Sequence, residues 1–353
     1  QRATLDKLAG EYADELANLG VRVSNLEKKV GNIYWSGDAR MQYQHKLNDE
    51  GKAKDNDTWN GRMRINVKGQ VNDQVTVNGR FVNEMDFKDS DSSKTIMNRI
   101  YSQWTPNDTT TVNIGRFGVA LDQTGTFWDE DGVFDGINAA WDNGKIGVEA
   151  GYGRFKDAGN ETEDMWKDTA STEAWYGKLT GHVAENADVS AFYLANTHKA
   201  NGEEGIDLGM PKAHAWGAGA TVGLGNSNFT LDGDYVQTKM NKGNGHANLW
   251  TAGLTYGAVD TDKVGTWQLG VHYVKADAGA MLLGNSALDL TDQLDYGYDK
   301  NADVHFWVAR AGVALQKGVE LDAYYNFAAK ASGIDEHVDD PDDTWGIELN
   351  YAF

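Results

Sequence analysis

From Ile33 onward, apolar and polar residues alternate with a period of two, the pattern of strands whose faces meet different surroundings. Ile33, Trp35, Gly37, Ala39, Met41 and Tyr43 alternate with Tyr34, Ser36, Asp38, Arg40, Gln42 and Gln44. In the next run, Trp59, Gly61, Met63, Ile65 and Val67 alternate with Asn60, Arg62, Arg64, Asn66 and Lys68. The pattern predicts sixteen strands, at about 33–46, 57–69, 74–86, 94–105, 109–117, 137–142, 145–156, 172–184, 187–198, 212–225, 228–239, 247–257, 264–275, 303–316, 319–330 and 344–353. Connections alternate too. Short turns such as Asn143–Gly144 and Lys317–Gly318 follow even-numbered segments, and long polar loops (47–56, 118–136, 157–171, 276–302, 331–343) follow odd-numbered ones.

A soluble sandwich or propeller has no reason to gather its short turns at one end and its long loops at the other. A transmembrane β-barrel does. Strands of about ten residues suit a tilted crossing of the hydrocarbon layer, and closure is required because an open edge in lipid leaves backbone groups unpaired. The second face, rich in Arg, Asn, Gln and Asp, predicts a water-filled interior rather than a packed one. Trp35, Trp104, Trp141 and Trp345, near strand ends, are expected in interfacial girdles. The fold expected is therefore an all-β transmembrane barrel of 16 antiparallel strands over residues 31–353.

Ahead of it the period changes. Leu16, Leu19, Val23, Leu26 and Val30 recur at steps of three and four, a heptad seam with charged flanks. Residues 1–30 are read as a short coiled-coil stalk, and so short a coil needs help from the rest of the chain to hold an oligomer together. The chain opens at Gln1 in polar, helix-forming sequence without a signal-peptide pattern, which reads as a processed or truncated form.

Composition narrows the chemistry. A net charge of -21 argues against a nucleic-acid partner, and the absence of Cys removes disulfides, thiolate nucleophiles and Cys-ligated zinc. Residues 119–353 hold 15 basic and 37 acidic side chains, which predicts a mild preference for cations, screened within about 8 Å at physiological salt. The eight His have no metal-ligand spacing, and no HExxH, Walker loop or GxSxG occurs. His182, His272 and His305 are expected to face inward. The acidic run from Asp335 to Asp343 reads as a solvated loop, with divalent-cation binding as the less favoured alternative. Neither an enzyme nor a cofactor is expected.

Between the fifth and sixth strands the loop 118–136 interleaves Asp122, Asp129, Glu130, Asp131 and Asp135 with Phe127, Trp128 and Phe134. Aromatics in such a loop suggest packing on the inner wall, with the acids turned toward the lumen. Arg40, Arg62, Arg64, Arg80 and Arg99 lie on the polar faces of strands 1 to 4 and can form an opposing basic wall. Arg116 points outward on strict alternation, unless a bulge at Gly115 re-aims it. Opposed charges in a narrow throat would set up a transverse field that polar solutes tolerate better than apolar ones.

The final strand places Trp345, Ile347, Leu349, Tyr351 and the terminal Phe353 on alternate positions. It resembles the C-terminal strand by which the barrel-assembly machinery reads bacterial outer-membrane proteins. With the sixteen strands and the third loop, of which Gly115–Asp122 and Asp129–Asp131 are the similar parts, the chain resembles the general diffusion porins of Gram-negative outer membranes. Their Pro-Glu-Phe-Gly-Gly stretch is not matched. The start, DELANLGVRVSNLEKKV followed by IYWSGDARMQY, is more specifically similar to the OmpM-type tethering porins of diderm Firmicutes. That resemblance implies a homotrimer in outer-membrane lipid and lipopolysaccharide, passing ions and small hydrophilic solutes, with its stalk in the periplasm. It also implies a tether to peptidoglycan or its polymers through an S-layer-homology domain that is not in this chain. The alternative is a barrel that is mainly a structural anchor, its lumen plugged by loops 118–136 and 276–302, the latter through its apolar run Ala280–Leu283.

Overall fold

The computed structural model describes residues 31–47, 57–88, 93–156, 172–197, 214–239, 246–281, 302–333 and 338–353, with Tyr12 and Glu15 upstream. The seam residues Leu16, Leu19, Val23, Leu26 and Val30 lie outside the described residues. The first eight strands are β1 (Ile33–Leu47), β2 (Asp57–Asn72), β3 (Val75–Asp86), β4 (Lys94–Asn107), β5 (Thr110–Gly118), β6 (Val133–Asp142), β7 (Ile146–Lys156) and β8 (Thr172–Ala184). The second eight are β9 (Ala187–Asn196), β10 (His214–Gly223), β11 (Phe229–Lys239), β12 (His246–Gly257), β13 (Trp267–Ala276), β14 (Ala302–Gln316), β15 (Val319–Gly333) and β16 (Asp343–Ala352). Each pairs antiparallel with its sequence neighbours, and β1 pairs with β16, so the sheet is a closed barrel of sixteen strands. The sixth strand starts four residues earlier than the alternation suggests, at Val133, which shortens the third loop to 119–132.

Closure runs in register from Asp38 opposite Ala352 to Leu47 opposite Asp343. Beyond the last strand residue, Phe353 N–H donates to Gly37 O at 3.0 Å and Gly37 N–H donates to Phe353 O at 2.8 Å. The terminal ring lies over the bare Cα of Gly37: a Cβ there would come within 2.7 Å of the Phe353 ring and 2.5 Å of the Arg64 carbonyl. Glycine at 37 thus lets the first and last strands close around the final side chain.

The outer surface follows the alternation. Trp35, Met63, Ile114, Trp141, Leu179, Leu254, Leu269 and Ile347 are all exposed on it. Aromatic neighbours pack along it with tilted rings, Trp345 against Tyr43 at 5.5 Å and Tyr273 against Trp307 at 4.9 Å between ring centres. His305, expected to face inward, is on this outer face beside Tyr273; its strand neighbours Val304 and Phe306 take the inner positions and are buried.

The interior departs from the uniformly polar lumen that the alternation predicts. At the loop end of β7 to β14 the inward residues include Phe155, Tyr176, Phe192, Leu194, Leu249, Val274, Phe306 and Val308, and all are buried in one apolar cluster. Leu121, Phe127 and Trp128 of the third loop belong to the same cluster, as do Ala280 and Met281 from the start of the 276–302 connection. In this sector both faces of the strands are apolar, as in the run VHFWVA of β14, so alternation alone cannot show which face is wetted. Water is displaced from the wall there by the chain itself.

The close approach at the seam makes a prediction. Gly37→Leu forces an overpacked contact costing about 1–3 kcal/mol and is expected to reduce the fraction of protein that runs as a compact, heat-sensitive barrel on unboiled gels. Gly69→Leu, where the nearest atom to a new Cβ is 3.7 Å away, is expected to leave that fraction unchanged.

Candidate functional site

Loop 3, residues 119–132 between β5 and β6, is folded into the barrel and secured by its own turn, by aromatic packing and by polar contacts at its tip and on its returning leg. Its own turn is tied by Asp122, whose carboxylate accepts from Phe127 N–H at 2.9 Å and Trp128 N–H at 2.8 Å. Leu121 N–H donates to Trp128 O at 3.0 Å. Burial, and then the nearby Asp234, push the Asp122 carboxyl up to about 7. On the β7–β9 side the loop is glued by aromatics: Phe127 stacks on Phe192 at 5.5 Å, and Trp128 meets Phe155 edge-on at 5.4 Å. Three buried large side chains, Leu121, Phe127 and Trp128, each stabilise this packing by about 1.5–3 kcal/mol.

The tip reaches the far wall. Asp234 on β11 accepts from Gln123 N–H at 3.0 Å and Thr124 N–H at 2.6 Å, and Gln123 Nε2 donates to Thr221 Oγ1 of β10 at 3.2 Å. Lys178 of β8 donates to the Ala120 carbonyl at 2.8 Å. Loop chemistry alone gives no hint of these anchors. Their only signal in the sequence is an acid or base on the inward face of a strand, and their partner is fixed by how far the loop reaches.

The returning leg meets the arginine wall, and Asp131 is the point of contact. Arg64 Nη1 lies 2.7 Å from Asp131 Oδ1, with Arg80 Nη1 at 3.1 Å and Arg99 Nη2 at 3.6 Å from the same oxygen, and Arg62 Nη1 lies 3.9 Å from Oδ2. Arg99 also donates to the Glu130 backbone carbonyl. Arg64 turns its Nε to both oxygens of Asp38 at 2.8 and 2.9 Å, and Arg40 pairs with Glu348 at 3.7 Å. Arg99 lies directly opposite Arg80, and the β3–β4 register slips just beyond that pair, before Phe81. The slip leaves Asn98 out of the ladder, where it accepts from Arg80 Nε at 2.9 Å. Burial alone would raise the Asp131 carboxyl; Arg64, Arg62 and Arg80 outweigh it and hold the group well below the ordinary carboxylate range. Asp131 therefore stays ionised across any physiological pH.

The five arginines expected on one wall are thus brought together, while the five acids divide. Asp131 meets the arginines, and Glu130 does so through its carbonyl. Asp129 accepts from the Asp131 and Gly132 amides at 3.1 and 3.3 Å and shapes the turn, while Asp122 is buried within the loop. Asp135 is a residue of β6 rather than of the loop. It lies on the outer face, paired in two hydrogen bonds with Arg116 at 2.6 and 2.8 Å. Gly115 has a positive φ of 129°, yet Arg116 stays opposite Ile100 and on the outer face, so the twist at Gly115 does not re-aim it. On the next two strands Arg154 and Glu173 continue this outer row at 3.7 Å.

No protein-family model matches the chain, and no curated protein matches it. Solved structures do. A variant of the Rhodopseudomonas blastica porin superposes with a TM-score of 0.55 at 14% identity, covering 91% of this chain and 100% of that one. A triple variant of the same porin gives a TM-score of 0.53 at 13% identity over the same shares. A further solved structure, described under asymmetric conductivity of engineered proteins, gives 0.53 at 14%. At such low identity the likeness concerns architecture: the chain has the sixteen-stranded porin fold.

The tip anchor generates a prediction. Asp234→Ala removes two hydrogen bonds to a charged group, each worth about 1.5–3 kcal/mol, and is expected to speed amide hydrogen exchange over residues 121–126 while leaving the strands protected. Equal exchange in the two proteins would mean that the apolar packing alone holds the tip.

Proposed function

We propose that the chain forms a passive channel for ions and small hydrophilic solutes across an outer membrane. The observation that carries this reading is a loop folded inside a closed barrel and fixed there by the ion pairs of Asp131 at its base and by hydrogen bonds to the Asp234 carboxylate at its tip, beside a wall of five arginines. A segment held this firmly divides the lumen without sealing it by its own collapse. The apolar packing around Phe127 and Trp128 fills one side, so solutes would pass along the side lined by Arg40, Arg62 and Asp131. Charged and dipolar solutes exchange water for these groups at little cost, whereas apolar ones gain nothing in return. No energy source and no cofactor enter the mechanism.

The same proposal includes a homotrimer in outer-membrane lipid and lipopolysaccharide, assembled by the barrel-assembly machinery through Trp345, Ile347, Leu349, Tyr351 and Phe353. It also includes a periplasmic stalk at 1–30 that links the barrel toward a peptidoglycan-binding domain, as the resemblance to OmpM-type porins implies. The alternative of a structural anchor with a narrow or plugged lumen draws on the buried positions of Ala280 and Met281.

Planar-bilayer recording separates the two. Purified protein is expected to insert with large, ion-filled conductance steps that close in groups of three, and verified insertion without steps would favour the anchor. Under a KCl gradient the reversal potential is expected to favour cations. Asp131→Asn removes the acid that Arg62, Arg64, Arg80 and Arg99 share and is expected to shift the permeability ratio several-fold toward anions; since Asp131 is held ionised, the wild-type value is expected to change little on this account between pH 8 and pH 5. An unchanged reversal potential in the variant would remove Asp131 from the conduction path.

A further inference from the structure

Across the lumen from the arginine wall, a cavity of about 310 Å³ lies between the tip of loop 3 and the inner faces of β10 to β14. Its charged lining is Asp232, His272 and Arg310, and Thr126, Thr221 and Thr251 add hydroxyls. Arg310 stands apart from the other described arginines. Arg40, Arg62, Arg64, Arg80, Arg99, Arg116 and Arg154 each have a carboxylate within 4.0 Å. Arg310 has no such partner among the described residues; the Tyr324 ring lies 6.0 Å from its guanidinium, and its Nε is buried without a hydrogen bond.

His272 is incomplete in the same way. Its Nε2 lies 3.3 Å from Asp232 Oδ1, while its Nδ1 is buried and unpartnered. The imidazole rests on the bare backbone of Gly253, where a Cβ would strike the ring and come within 2.7 Å of the Asp232 carboxylate. Side chains that leave buried donors and acceptors unmatched around a cavity are matched by whatever enters it.

We propose that this cavity is a binding station on the pore wall for a small monocarboxylate that also carries hydroxyl groups. The inference rests on the channel reading and names a solute class for it. Arg310 takes the carboxylate, because a guanidinium offers a fork of donors that fits its two oxygens. His272, Asp232 and the threonines take the hydroxyls, since Asp232 accepts O–H and repels a second negative charge. A multiply charged oxyanion is disfavoured for that reason, and a neutral sugar has nothing to offer Arg310.

The test uses the full chain in planar bilayers in KCl, with gluconate as probe and glucose as its neutral counterpart. Gluconate is expected to reduce the current saturably, and glucose to do so far more weakly. In Arg310→Gln the gluconate concentration for half-block is expected to rise about tenfold or more, as for loss of a charged hydrogen-bonding partner. Gly253→Ala, which displaces the His272 ring without changing charge, is expected to weaken the block while KCl steps persist. Block of equal strength in the wild type and both variants, or by glucose as strongly as by gluconate, would overturn the station and leave the channel intact. Absence of KCl steps in the wild type would overturn the channel and the station together.

Discussion

A carboxylate surrounded by guanidiniums organises the interior of this barrel. Sixteen strands enclose more space than their own side chains fill, so the chain must either wet that space or send part of itself inside. Loop 3 goes inside, and a loop is tolerated there only when its backbone groups find partners. Asp131 fixes the returning leg on Arg64 and Arg80, and the Asp234 carboxylate receives the amides at the tip. Without these two attachments the loop's aromatics would have no defined seat.

The attachments and the apolar packing divide the labour. Phe127 and Trp128 supply most of the burial, which is strong but not directional. The ionic contacts supply direction, fixing the loop across the lumen at one height. Guanidiniums crowded together repel one another, so β1 to β4 need anions among them; Asp131, Asp38 and Glu348 fill that need. The contact that positions the loop thereby also makes the arginine wall tolerable, and both sides of the arrangement stand or fall together.

The barrel interior consequently has two characters. On the β1–β4 wall it is a ladder of charges. At the loop end of β7 to β14 it is a buried apolar layer joined by Ala280 and Met281. Beside the loop tip, on the inner faces of β10 to β14, lies the cavity with Arg310 and His272. The outer surface has its own contrast: aromatic and aliphatic residues dominate most of the wall, whereas β5 to β8 carry the Arg116–Asp135 and Arg154–Glu173 pairs near their loop ends.

Alternation along the strands was sufficient for the closed sixteen-stranded fold, because a period of two is a local property that each strand displays by itself. The same holds for the basic wall: Arg40, Arg62, Arg64, Arg80 and Arg99 follow directly from the polar face. Three things needed the tertiary structure. Asn98 comes to accept from Arg80 only through a register slip between two strands. His305 and the apolar inner layer could not be read because both faces of β14 are apolar, so alternation leaves inside and outside interchangeable. The acids of loop 3 sit in irregular backbone that has no period at all, and Asp122, Asp129 and Asp131 received three different roles from the path the chain takes. Sequence determined what each strand would show to its two sides; only the closed, three-dimensional chain decided which loop residue would meet which wall, because those contacts join segments tens to more than a hundred residues apart.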